Sequence, residues 1–390
     1  MIVPQQYLAV NWTDGMKIDK SHFINTENFI IDGLRDIASL QINNYNFGLL
    51  PPLKGSGAEL SQYEISKTAT NQIQIRISYC QAVTPGGVRI SITGEGLTSY
   101  ALSEAINLNT KVEQTNLLNG SQEHFYVIIV VNPFEKKPSG EPDSEEIPIR
   151  QPHTQPHYDV QLVHVNNVNI EQLGAYHLVI GRIIKQGESY FKDEDFIPPC
   201  TSITSNAKLL QHYQDFGKAL NTIQNLSIQI IQKIHFKNQK STIAQNVKNL
   251  CEIILNYCSQ HYFFFRNLGH QQAPANFVNA AAVLANYMYT AISILPEKEK
   301  EELLNYFFEW SDITQVIFLN QLSATIEINY DHYQVGAYTN YIKIMLNSMV
   351  NIWQKLNTLE YIGQHKENIV VKEERITKVV KEKKGWSILD

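Results

Sequence analysis

The side chains of this 390-residue chain that could support an active site are its histidines, its cysteines and two glycine-rich turns, and their spacing argues against most chemistry. His153 and His157 lie four apart, the interval that sets two imidazoles on one helical face for zinc. Pro152 and Pro156 beside them work against that helix, because proline removes an amide donor and clashes with the preceding turn. His164 sits in the following strand-like stretch. Cys251 and Cys258, seven apart in helical sequence, read as neighbours on a buried face rather than as nucleophiles. Gly86-Gly87 and Gly94-Glu95-Gly96 are not followed by Lys-Ser/Thr, so they make neither a P-loop nor a dinucleotide fingerprint. There is no Gly-x-Ser-x-Gly elbow. His22 has no carboxylate or nucleophile at a telling distance and reads as a hydrogen-bonded structural histidine. The residues therefore call for no catalytic site, no cofactor, no metal and no small-molecule substrate.

Composition narrows the class further. Hydrophobic residues make up 43% and charged residues 18%, ample for buried cores. Lys plus Arg total 32 against 38 Asp plus Glu, a formal charge of −6 and the wrong sign for a nucleic-acid partner. Four cysteines, Cys80, Cys200, Cys251 and Cys258, make no disulfide framework, so reduced thiols in cytosol are expected. The opening MIVPQQYLAVNW has no basic region followed by an apolar one. The longest apolar run, Phe125 to Val131, is too short to span a bilayer. A soluble, cytoplasmic protein is expected, with any membrane role acting through a partner.

The elements that would position these residues divide the chain in two. Residues 1–200 read mostly as β. Ile73, Ile75, Ile77 and Tyr79 alternate with Gln74, Arg76 and Ser78, the period-2 mark of a half-buried strand. Val88, Ile90 and Ile92 repeat it after the Pro85-Gly86-Gly87 turn. Phe125 to Val131 reads as a strand buried on both faces, ending at Asn132-Pro133, and Tyr158 to Val165 and Tyr176 to Ile184 as two more. Short strands separated by turns predict a β-sandwich. One early helix is expected, capped by Ser21, with Phe23, Ile30, Leu34 and Ile37 on one face. The proline-rich stretch 133–157, with an acidic group at Asp143, Glu145 and Glu146, predicts an exposed loop.

Pro198-Pro199 marks the boundary. Residues 201–362 read as a helical bundle, with a helical seam over 209–234 and further helices near 240–266, 274–294, 298–324 and 332–360. Leu209, Tyr213, Phe216, Leu220, Ile223, Ser227, Ile230 and Ile234 alternate steps of four and three, a heptad seam with one polar position. An ordinary core helix would show this pattern, but the regular 3.5 spacing favours a seam that self-associates. The remaining residues, 363–390, are locally basic and end Gly385-Trp386-Ser387-Ile388-Leu389-Asp390. Trp386, Ile388 and Leu389 read either as anchors of a docking segment or as groups folded back on the bundle. The expected class is α+β: a sandwich at 1–200, a bundle at 201–362 and a tail.

Two stretches go beyond composition. Val10-Asn11-Trp12-Thr13-Asp14-Gly15-Met16 followed by Ser21-His22-Phe23 resembles the opening of the TssK family of type VI secretion baseplate subunits. Asn46-Phe47-Gly48-Leu49 and Thr84-Pro85-Gly86-Gly87 extend the match. Asp195-Phe196-Ile197-Pro198-Pro199-Cys200, with Ser205 and Leu209-Leu210, resembles the passage from shoulder to neck in that family. Looser similarity covers Ala275 to Tyr287 and Tyr330-Asp331-His332. The resemblance implies a homotrimer with a β-sandwich shoulder on the baseplate wedge, a helical neck, and a C-terminal head that reaches the cytoplasmic part of an envelope membrane complex, recruiting the protein to the inner face of the inner membrane. Only about thirty residues follow the last helix, too few for an independent head.

On this reading Trp12, Gly15, Met16, His22 and Phe23 contact the wedge. Leu209, Tyr213, Phe216, Leu220, Ile223, Ile230 and Ile234 form the trimer seam, and Trp386, Ile388 and Leu389 dock on the membrane side. The expected function is a structural adaptor. The alternatives are a phage-like tail adaptor or receptor-binding protein of a contractile injection device, and an enzyme such as a hydrolase using His22 or the His153/His157 loop.

Overall fold

The computed structural model describes residues 3–52, 61–67, 73–93, 102–106, 123–168, 173–187 and 189–366. Gly94-Glu95-Gly96 and the tail anchors Trp386, Ile388 and Leu389 lie outside the described residues. The fold class is α+β, as the alternation and heptad patterns predict.

After helix α1 (Lys20–Ser39), five strands form the first sheet: β1 (Gly48–Leu49), β2 (Ser61–Lys67), β3 (Ile73–Val83), β4 (Arg89–Ile92) and β5 (Leu102–Ile106). The central strand β3 pairs antiparallel with each of the others. The second sheet holds β6 (Glu123–Ser139), β7 (His153–His164), β8 (His177–Gln186) and β9 (Ser189–Lys192) in the order β7-β6-β8-β9. Ile73, Ile75 and Ile77 point inward from one sheet, and Val127, Ile129 and Val131 are buried in the other. The sheets are tied through tyrosines. Tyr63 donates its hydroxyl to the Arg182 carbonyl (3.3 Å), and the Ser91 amide donates to the Tyr158 hydroxyl (3.2 Å). A Cβ at Gly181 would stand 2.4 Å from the Tyr63 oxygen, so only glycine allows that approach.

The proline-rich stretch departs from expectation. Strand β6 runs on through a bulge between Asn132 and Lys136 to Ser139, and β7 returns from His153, so only residues 140–152 connect them. The prolines are tolerated because β7 is an edge strand and β8 stops pairing with β6 at Val130. Beyond that point the pair is a two-stranded ribbon.

The second half holds α2 (Ala207–Phe236), α3 (Thr242–Asn267), α4 (Pro274–Ser293), α5 (Glu297–Ser311), α6 (Gln315–Ile326) and α7 (Val335–Thr358). Side chains start several of them: Asn206 accepts the Leu209 amide (3.0 Å), Ser241 the Ala244 amide (3.3 Å) and Thr314 the Ile317 amide (3.3 Å). The single helix expected over 298–324 is two, because Asp312 adopts φ 60° and closes α5 before Thr314 opens α6.

The heptad seam also needs correcting. Leu209, Tyr213, Phe216, Leu220, Ile223, Ile230 and Ile234 are all buried within one chain. They lie against α3 and α7, and Ser227, the polar position, accepts a hydrogen bond from Trp353 Nε1 (2.9 Å). The repeat is satisfied intramolecularly, so these side chains are not available to a second copy.

Sandwich and bundle meet at a clamped joint, not a linker. The Leu49 amide donates to the Pro199 carbonyl (2.8 Å), and the Thr201 amide returns to the Leu49 carbonyl (2.9 Å). Gly48 has φ 113°, and a Cβ there would overlap the Pro199 carbonyl at 2.1 Å. His332, from the segment before α7, sits 2.9 Å from the Phe47 carbonyl through Nε2 and 2.8 Å from the Tyr330 hydroxyl through Nδ1. A carbonyl only accepts, so Nε2 carries the proton, and bare Nδ1 accepts from Tyr330. Three motifs far apart in sequence, at 46–49, 195–200 and 330–332, thus converge on one buried site.

Two outcomes follow. Burial pushes the His332 imidazole down to about 4 from its ordinary 6.5, against the raising effect of the Phe47 carbonyl. The unfolded chain takes up that proton below pH 6.5 and the folded chain does not until about pH 4. Stability is therefore full above pH 6.5 and falls as pH is lowered through this window, by up to about 3 kcal/mol. Denaturant titrations of wild type and His332→Gln from pH 4 to 7 test this, and parallel pH slopes would refute it. Separately, Leu220→Asp with Ile223→Asp should unfold the bundle, costing several kcal/mol for unpaired buried charge, rather than release folded monomers. Circular dichroism beside light scattering separates the two, and a folded monomer would return the seam to the subunit interface.

Candidate docking surface at the first helix

Asp19, rather than Ser21, caps α1. Its carboxylate accepts from the Ser21 amide (2.8 Å) and the Ser21 hydroxyl (2.6 Å). His22 completes a capping box by accepting the Asp19 amide at Nδ1 (3.2 Å). Trp12 lies over it, ring centroids 6.0 Å apart, and is half-exposed. The turn before α1 holds Gly15 at φ 78° in open space, and the Met16 amide closes on the Thr13 carbonyl (3.2 Å). Trp12, Gly15, Met16, His22 and Phe23 are therefore brought together at one end of α1, where His22 performs a structural task.

The orientation of α1 is the unusual feature. Its buried positions are all polar: Asn28, Asp32, Arg35 and Ser39, in steps of four, three and four. Its apolar positions Phe23, Ile30, Leu34 and Ile37 lie about half a turn away and are 59%, 53%, 65% and 66% exposed. An amphipathic helix ordinarily buries the second set. Here the inner face is fastened by charge and hydrogen bonds. Asp32 Oδ1 accepts from Arg35 Nε (2.8 Å), and its other oxygen accepts the amides of Gln6 and Tyr7. Arg35 also reaches the Pro4 carbonyl (3.4 Å). Burial opposes the Asp32 charge, but the two amides and the guanidinium outweigh it and hold the carboxyl below its ordinary value. Further ties run to the rest of the sandwich. Glu27 pairs with Lys136, and Tyr7 packs on Phe134 with centroids 4.5 Å apart. A Cβ at Gly87, φ 86°, would stand 2.6 Å from the Arg35 carbonyl, so the β3–β4 turn presses on the helix backbone.

The remaining candidates are engaged elsewhere. His157 lies on β7 with Nδ1 3.0 Å from Glu135 and Nε2 2.6 Å from Asp159 and 3.1 Å from Lys137. His153 pairs with Ser139 at the far end of the ribbon. Among the described residues no group of three or more His, Cys, Asp or Glu is placed to hold a metal ion. All four cysteines are buried, and burial raises the thiols of Cys80 and Cys251 to about 12 and Cys258 to about 11. No helix among the described residues is long and apolar enough to cross a membrane. The Asp32–Arg35 pair had a signal in the sequence: 28, 32, 35 and 39 repeat at the same helical spacing as the apolar set.

If the buried pair fastens the N-terminal segment, Asp32→Ala should leave Arg35 only the Asp36 carboxylate, 3.8 Å away, costing about 3 kcal/mol. It should also accelerate hydrogen exchange at the Gln6 and Tyr7 amides. Ile30→Ala, on the outer face, should change neither. Unaltered exchange at Gln6 and Tyr7 in Asp32→Ala would show that the segment is held by something else.

No family model matches the chain, and no curated protein matches it. Solved structures do. A chain of "The baseplate complex from the type VI secretion system" is 10% identical, with a TM-score of 0.52 over 88% of this chain and 99% of that one. A crystal structure of TssK is 15% identical, with a TM-score of 0.48 over 87% of this chain and 69% of that one. TssK from EAEC in complex with a nanobody is 10% identical, with a TM-score of 0.46 over 84% of this chain and 97% of that one. The first of these likenesses establishes the architecture: this chain shares its fold with a component of a type VI secretion baseplate.

Proposed function

We propose that this protein is a non-catalytic, TssK-like structural subunit of a type VI secretion baseplate, a homotrimeric adaptor between the baseplate wedge and an envelope membrane complex. The observation that carries it is the outward apolar face of α1. A helix fastened by its polar side presents Phe23, Ile30, Leu34 and Ile37, with Trp12 packed on His22 at its first turn, as a surface for another protein. The shared fold, the family-like motifs that meet at the joint, and histidines and thiols committed to structural contacts support the same reading.

In this scheme the sandwich is the shoulder, and its N-terminal surface, from Trp12, Gly15 and Met16 through His22 and Phe23, binds the wedge. The bundle is the neck and carries the homotrimer. The tail from residue 367, with Trp386, Ile388 and Leu389, engages the cytoplasmic part of the membrane complex, bringing a cytoplasmic protein to the inner face of the inner membrane. Its basic residues would steer it to an acidic surface.

Co-purification with wedge subunits tests the proposal. Ile30→Glu with Leu34→Glu, or Trp12→Ala, should reduce wedge recovery at least tenfold while the thermal midpoint shifts little, because these side chains are exposed. Truncation after Lys366 should keep wedge binding and lose recruitment to the envelope. Undiminished wedge recovery by the α1 variants would overturn the shoulder assignment, and normal recruitment of the truncated chain would overturn the role of the tail.

A further inference from the structure

Strands β6 and β7 stay paired beyond the point where β8 leaves them, as far as Ser139 and His153, so residues 140–152 are the turn of a two-stranded ribbon. That turn holds two aliphatic side chains in water: Ile147 is 99% exposed and Ile149 67%. A lone exposed aliphatic is ordinary, but these two are braced. Arg150 Nε lies 2.7 Å from Glu146 Oε2, and its Nη2 donates to Oε1 (2.9 Å), a two-point contact between residues four apart. Ile147, Pro148 and Ile149 are the residues it encloses. Asp143 Oδ1 accepts the Glu145 amide (2.9 Å) and shapes the chain leading into the brace.

The brace leaves a charge behind. Glu146 is committed to Arg150, while Glu141, Asp143 and Glu145 are exposed and have no ion-pair partner among the described residues. Three carboxylates around two isoleucines narrow the choice of occupant. The cytoplasmic face of a membrane is negative and repels them, so the isoleucines make a poor lipid anchor. A protein slot with an apolar floor and Lys or Arg at its rim matches both features. The ribbon is also tied to α1, because Lys136 pairs with Glu27 and Phe134 packs on Tyr7. Only about 10 Å of strand separates Lys136 from Ser139, where the turn begins. A protein interface of ordinary size, about 800 Å² per partner and roughly 30 Å across, therefore has room for both α1 and the turn.

We infer that the ribbon turn is a second anchor for the wedge protein that covers α1: Ile147 and Ile149 enter an apolar slot of that protein, and Lys or Arg side chains at its rim face Glu141, Asp143 and Glu145. The inference rests on the shoulder reading and adds to it a second contact and the chemistry of the partner's surface. All five side chains are exposed in the single chain, so they can be altered without opening the core.

The full chain and the purified wedge subunits serve as the test. Ile147→Ser with Ile149→Ser should lower wedge recovery at least tenfold with an unchanged thermal midpoint. Glu141→Gln, Asp143→Asn and Glu145→Gln together keep an acceptor at residue 143 and remove the charge. They should also lower recovery, and should flatten the loss of wild-type recovery as salt is raised. Vesicles of phosphatidylcholine and phosphatidylserine should retain none of these proteins. Full recovery by both turn variants, beside a loss in the α1 variants, overturns the second anchor and leaves the shoulder reading standing. Full recovery by the α1 variants as well overturns both. A loss in the serine variant alone, with no effect of charge or salt, overturns the basic rim. Vesicle binding that the serine variant abolishes makes the occupant lipid and overturns the protein slot.

Discussion

The neutral imidazole of His332 is the contact on which the two halves of the molecule depend. It bonds the Phe47 carbonyl from one side and the Tyr330 hydroxyl from the other, at the place where Leu49 exchanges hydrogen bonds with Pro199 and Thr201. Gly48 and the paired prolines are there for geometric reasons: no Cβ fits at Gly48, and Pro199 presents a carbonyl that a shifted backbone would misplace. Because the sheet strand β1, the turn into the bundle and the segment before α7 share one buried polar site, none can move without exposing an unpaired group. The sandwich and bundle are consequently held as a pair, and the surfaces they present keep a set relation to each other.

Around that joint, the chain treats two helices of similar pattern in opposite ways. The apolar stripe of α2 is covered by α3 and α7, with Ser227 satisfied by the Trp353 indole. The apolar stripe of α1 faces out because the inner face is fixed by a carboxylate holding two backbone amides and a guanidinium. A charged pair inside a protein is a poor source of net stability but a strict specifier of arrangement, since displacing either member strands the other. In α1 that strictness sets which face is offered to solvent.

This contrast also explains how far the sequence could be read. Periodicity in Ile73, Ile75 and Ile77 announced a strand, and the heptad in 209–234 announced a helix with one dry side. It could not say what covers that side. For α2 the cover is internal, although the spacing favoured a second chain. For α1 the same kind of spacing marks the side left uncovered, and the informative residues were the polar ones between. Proline content misled at 133–157, since a ribbon edge accepts residues that a central strand refuses. The joint was visible only as three short motifs, and their meeting depends on contacts across nearly 300 positions, which no local pattern encodes.

The inward lock of α1 has a consequence for how such a protein can change. Folding of that helix is answerable to Asn28, Asp32, Arg35 and Ser39, while Phe23, Ile30, Leu34 and Ile37 answer to whatever lies outside. Evolutionary drift on the outer set therefore meets little resistance from the fold itself. Such a helix is a rewritable label on a fixed mount: a lineage could retune which neighbour it accepts, one outer side chain at a time, without first having to rebuild the scaffold beneath.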